Sequence, residues 1–206
     1  MGGDSTAFEG GQVSLNPVPH MTREPFGMLV FPIVSYLLGG WMVGWASAPY
    51  SPFWQERHPR RAALMSLAGP AANFALMIIA AVLIRAGIGM GVFQVPQTVG
   101  FASIAAVANP ETAGNLLRFA ATFLSVLFFE NLLLGTFNLL PVPPLDGSTG
   151  IGILLPETMA LRLMRFMQDP MFRMMGLFAA WAVFDKAFDP IFTTALNMLY
   201  PGASYR

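Results

Sequence analysis

Ala63–Ile84 is a run of 22 residues without a charge. As an α-helix it would be about 33 Å long, enough to cross roughly 30 Å of hydrocarbon. A second run, Phe119–Leu140, carries Glu130 as its only charge. In lipid every backbone N–H and C=O must find its partner inside the protein, so spanning segments are helices or closed barrels. Continuous apolar runs of this length, without alternation, select helices. The chain is therefore expected to be an all-α polytopic membrane protein. Its 206 residues are 55% hydrophobic and 11% charged, whereas soluble domains are about 25% charged. A formal net charge of zero offers no footprint for nucleic acid. The chain has no cysteine, which excludes disulfides and thiolate metal ligands.

The second run ends in Phe137-Asn138-Leu139-Leu140-Pro141-Val142-Pro143-Pro144-Leu145-Asp146-Gly147. Three prolines remove backbone donors and stop a helix, and glycine permits backbone that other residues resist. The pattern describes a helix brought to a halt with a single carboxylate, Asp146, fixed at the break. Ionisable groups at membrane depth are functional by default. Asn73 follows the small residues Ala68-Gly69-Pro70-Ala71-Ala72 in the first run. Small residues let helices approach, but packing does not explain Asn73, whose amide needs a partner in a dry setting.

The remaining segments are weaker. Residues 1–25 are polar, with a possible short strand at Gln12–Leu15 stopped by Asn16-Pro17, and His20 as a loop histidine. Residues 26–48 are apolar but interrupted by Gly27, Pro32, Gly39, Gly40 and Gly44. Residues 48–61 read as a polar loop holding His58. Asn109-Pro110-Glu111-Thr112 resembles a helix start. Residues 157–173 place Arg162, Arg165 and Arg173 among Met and Leu at helical spacing, an interfacial helix. Residues 174–199 form a third, weaker span containing Asp185, Lys186 and Asp189, with a helix end or break expected at Asp189-Pro190. No internal repeat is present, and the whole is expected to be one membrane-embedded domain. Arginines cluster in 48–62 and 156–173 and are missing between Arg85 and Arg118. The positive-inside rule then puts the first two segments in the cytoplasm and 86–117 outside.

Asn138 to Gly147 resembles the third-ligand motif of the site-two protease family of intramembrane zinc metallopeptidases. Ala68–Asn73 looks like that family's glycine-containing motif. Leu15-Asn16-Pro17-Val18-Pro19-His20 is similar to the segment after its first core helix in the short bacterial branch. Gly44-Trp45-Ala46 with Pro49, then Pro59-Arg60-Arg61, resembles that branch's next landmark. The resemblance covers about residues 3–150. It implies a Zn²⁺ cofactor, with Asp146 as a zinc ligand, Asn138 and Pro141 shaping the break, and Asn73 facing the site. It implies transmembrane or membrane-proximal protein substrates, contact with lipid, and a bacterial inner-membrane location with Asp146 toward the cytoplasm. It also implies that residues 26–48 form a re-entrant or broken hairpin with both flanks on one side.

In that family a preceding helix carries HExxH, whose two histidines hold zinc and whose glutamate is the general base. This sequence contains no HExxH, and its only histidines are His20 and His58. The favoured expectation is an N-terminally truncated, inactive form of an intramembrane zinc protease. The alternatives are a non-catalytic relative that binds transmembrane segments, and a small proton or ion transporter using Glu130, Asp185 and Asp189.

Overall fold

The structure is a computed structural model that describes residues 3–11, 13, 14, 16–39, 44, 51–167, 169–203 and 205. The chain divides into two compact units, Met1–Arg61 and Ala62–Arg206, and helices dominate both.

In the first unit, α1 (Thr6–Glu9) and α2 (Pro17–Arg23) are short. Asn16 and Pro17 start a helix rather than stop a strand. The Asn16 side chain accepts from the Val18 N–H at 3.1 Å, and proline sits at the first turn, where its missing donor has no consequence. Gln12 and Leu15, on which the expected strand relies, lie outside the described residues. A π-helical turn, Phe26–Val30, runs directly into α3 (Phe31–Gly39). Those residues together span about 21 Å, too short to cross a bilayer. Gly44 packs against the Gly27 carbonyl and the Pro32 ring. Residues 40–43 and 45–50, including Trp41 and Trp45, on which the expected hairpin depends, lie outside the described residues. The expected polar loop at 48–61 contains a helix, α4 (Pro52–Arg57), capped by the Ser51 hydroxyl, which accepts from the Trp54 N–H at 3.3 Å.

The second unit is built on two long helices, α5 (Pro59–Gly89) and α6 (Asn115–Asn138). Both are long and apolar enough to cross a membrane. α5 contains the expected run Ala63–Ile84, and α6 covers Phe119–Asn138 of the expected Phe119–Leu140. Between them β1 (Phe93–Gln94) pairs antiparallel with β2 (Ala106–Val107), in register Phe93 to Val107, so the unit is not wholly helical. The expected helix start at Asn109–Thr112 is a turn, and α6 begins only after Gly114. After α6 come α7 (Asp146–Gly150), a 3₁₀ turn (Ile151–Leu154), α8 (Glu157–Met167) and α9 (Pro170–Leu199). The interfacial segment is thus two helices. Asp169 caps the second by accepting from the Met171 N–H at 2.8 Å, which puts Arg173 on α9. The helix also continues through Asp189-Pro190 instead of breaking there.

The core of this unit joins Ile84 of α5, Phe93 and Val107 of the strands, Phe128 and Leu132 of α6, and Phe188 of α9. Aromatic edges lock α6 to α9. Phe129 meets Phe188 and Phe192, and Phe137 meets Phe184, all edge-on at 4.9–5.6 Å. Ser125, fully buried, donates to Ala121 O at 2.7 Å and accepts from the Ala105 N–H at 2.9 Å. That one hydroxyl ties the β1–β2 loop to α6.

Candidate metal-ligand site

Asp146 is the first residue of α7, eight residues after Asn138 ends α6. Between them the chain turns tightly. Leu140 N–H donates to Phe137 O, Leu145 N–H to Val142 O, and Ser148 Oγ to Leu145 O at 2.6 Å. Gly147 is what allows this turn to close. A Cβ there would stand 2.2 Å from the carbonyl oxygen of Leu139, and backbone cannot step aside as a side-chain tip can. Asn138 and Pro141 both lie at this break, Asn138 partly buried and Pro141 exposed.

The carboxylate of Asp146 faces α5. A Cβ placed on Gly69 would lie 3.2 Å from its Oδ2. Gly69 and Asn73 are four residues apart and so share a helix face. Asn73 is partly buried. Neither its amide nor the Asp146 carboxylate has a hydrogen-bond or ion-pair partner among the described residues. A carboxylate so placed has lost water without gaining a counter-charge, an arrangement suited to a cation.

The histidines are occupied locally in the first unit. His20 lies within α2, not in a loop, with Nε2 3.0 Å from Ser14 O. His58 ends α4 with its ring 5.3 Å from that of Trp54. Glu130 is partly buried in α6 and Asp189 exposed on α9, while the side chain of Asp185 lies outside the description. Among the described residues no three His, Asp or Glu side chains gather as a metal site. A catalytic zinc takes three protein ligands, so the described residues do not fit a complete zinc centre, and no hydrolytic step is assigned to them.

The profile of peptidase family M50 matches residues 6–182. The chain belongs to peptidase family M50, the site-two proteases. The match runs into α9, past the point where recognisable motifs end. The chain is 31% identical over 155 residues to a Bacillus subtilis (strain 168) protein named "Putative zinc metalloprotease YwhC". That alignment covers 75% of this chain and 58% of the relative's length. No solved structure matches the chain. M50 membership favours peptidase chemistry over the transporter reading of Glu130, Asp185 and Asp189. Sequence reading did not anticipate the Gly69–Asp146 approach as a contact, although both residues stood out separately.

Proposed function

We propose that this chain carries the aspartate side of an intramembrane zinc metalloprotease site acting on transmembrane or membrane-proximal protein segments. It would lie in a bacterial plasma membrane with the Asp146 end of α5 and α6 toward the cytoplasm. The observation that carries the reading is Asp146 itself. It is a partly buried carboxylate at a tightly folded break, facing a glycine, with no hydrogen-bond or ion-pair partner among the described residues. Membership of M50 supplies the metal class, and Asn73 on the same α5 face supplies a side-chain amide able to hold a substrate carbonyl. The histidine ligands belong to an HExxH segment that residues 1–206 do not contain, and activity requires that segment in addition.

The test compares residues 1–206 with a product of the same reading frame extended upstream of Met1 through any HExxH it encodes. Residues 1–206 alone should bind zinc below one per chain and cleave no membrane protein substrate. The extended product should bind one zinc and cleave, and lose both in Asp146→Ala. Stoichiometric zinc with Asp146-dependent cleavage by residues 1–206 would overturn the claim that their site is incomplete. Zinc binding in the extended product that ignores Asp146→Ala would overturn the assignment of Asp146.

A further inference from the structure

A crevice of about 630 Å³ opens between α5 and the C-terminal end of α9, far along the chain from Asp146. Its walls are almost wholly apolar, with Met77 and Ala81 of α5, Phe128 of α6, and Met198 and Leu199 of α9. At its rim stands Arg85, an exposed side chain. One guanidinium N–H donates to the Leu199 carbonyl at 3.3 Å. Guanidinium has five N–H donors, so this bond leaves donors to spare.

Arg85 also has a defined depth. It closes the charge-free run Ala63–Ile84, which is about 33 Å long as helix, close to the hydrocarbon thickness of a bilayer. With α5 across the membrane, Arg85 lies at headgroup level and the crevice opens beside it into the acyl region. Ile78 and Val82, apolar and exposed, complete the α5 wall of the crevice.

We propose that this crevice is a binding site for an anionic phospholipid of the leaflet at the Gly89 end of α5. One acyl chain lies along Ala81, Phe128 and Met198, and the phosphate is paired with Arg85. Charge complementarity selects this occupant. A purely apolar transmembrane segment, or a second copy's apolar face, would fill the groove but offer no acceptor to the guanidinium at its mouth, which has no carboxylate partner among the described residues. A phosphodiester meets it with the charge-assisted geometry that arginine favours. The proposal uses neither Asp146 nor zinc, so it stands or falls separately from the protease reading.

The experiment is native mass spectrometry of the full chain released from detergent, titrated with phosphatidylglycerol or with phosphatidylcholine. One phosphatidylglycerol should be retained in preference to phosphatidylcholine. Arg85→Gln should lower that retention roughly fivefold, the effect of one basic side chain near an anionic headgroup. Arg118→Gln should not, because that guanidinium is turned to the Pro110 and Ala113 carbonyls. Met198→Trp, at a residue 76% exposed, should block the crevice and abolish retention without lowering the unfolding temperature. It keeps the proposal testable if Arg85→Gln does not fold. Equal retention of both lipids, or retention unmoved by both Arg85→Gln and Met198→Trp, would overturn the proposal. So would a Met198→Trp effect on oligomeric state with lipid retention unchanged, which would make the occupant a second copy.

Discussion

The carboxylate of Asp146 and the α-carbon of Gly69 are so close that a methyl group on the glycine would lie 3.2 Å from Oδ2. A separation in that range displaces a side-chain tip by a few tenths of an ångström, and a carboxylate can yield that much. Alanine also improves on glycine inside a helix by up to about 1 kcal/mol. Gly69→Ala should therefore leave the unfolding temperature unchanged or slightly raised while moving Asp146. If the proposed zinc site is completed by upstream histidines, the same substitution should weaken metal affinity. A large drop in thermal stability would show that α5 and α7 pack differently from this.

Gly147→Ala offers the contrasting case. Its new methyl would meet the Leu139 carbonyl carbon and oxygen at 2.2–2.4 Å, and the break between α6 and α7 must open to admit it. Overpacking of this kind costs about 1–3 kcal/mol or more. Thermal unfolding in a fixed detergent should show a clear loss for this variant beside an unaffected Gly69→Ala.

Ser125→Ala removes one hydroxyl from a fully buried position. It strands the Ala105 N–H, which donates to that oxygen at 2.9 Å. An unsatisfied buried donor costs about 1–3 kcal/mol. Hydrogen exchange read by mass spectrometry should report faster exchange over residues 99–108, with α9 unaffected. Unchanged protection there would mean that the hydroxyl does not hold the loop.

Asp4 links two stretches of the first unit. Its carboxylate accepts from the Thr6 hydroxyl at 2.5 Å and from the Ser51 N–H at 2.9 Å. The Thr6 hydrogen bond is the main cause holding its pKa below the ordinary 3.8. A carboxyl depressed on folding contributes stability that is present above its unfolded pKa. That contribution is lost as pH falls through the lower folded value. The Ser51 contact should therefore be intact at neutral pH and weaken only below about pH 3.8. Asp4→Asn should reproduce that loosening at pH 7, seen as faster proteolysis near Ser51. A midpoint near neutrality would assign the effect to another group.

The two long helices were legible because apolar runs of 22 residues, one without a charge and the other with only Glu130, have few ways to satisfy their backbone in lipid. Asp146 was legible because a carboxylate among prolines and leucines has no structural use. Its meeting with Gly69 was not, since the contact depends on how α7 folds back on α5, and no local spacing encodes that. The caps at Asn16, Ser51 and Asp169 carry recognisable residue types, yet each precedes a proline, and proline reads first as a stop. At Asp189-Pro190 the same habit fails in the other direction. Helix continues through the proline, and the Pro190 carbonyl accepts from the Thr194 hydroxyl at 2.7 Å. Ser125 offered no signal to set it apart from Thr122 and Thr136, the other hydroxyls of the same apolar run.

Gly69 lies six residues inside the apolar run that begins at Ala63, about 9 Å along the helix axis. With α5 across a bilayer, a carboxylate touching Gly69 is submerged beneath the phosphates. Its hydration is then set by lipid tail length as much as by the protein. Thin membranes would bring water to Asp146, and thick ones would bury it further with no change in fold. On that placement, bilayer thickness becomes a physical control on how much water reaches this one side chain.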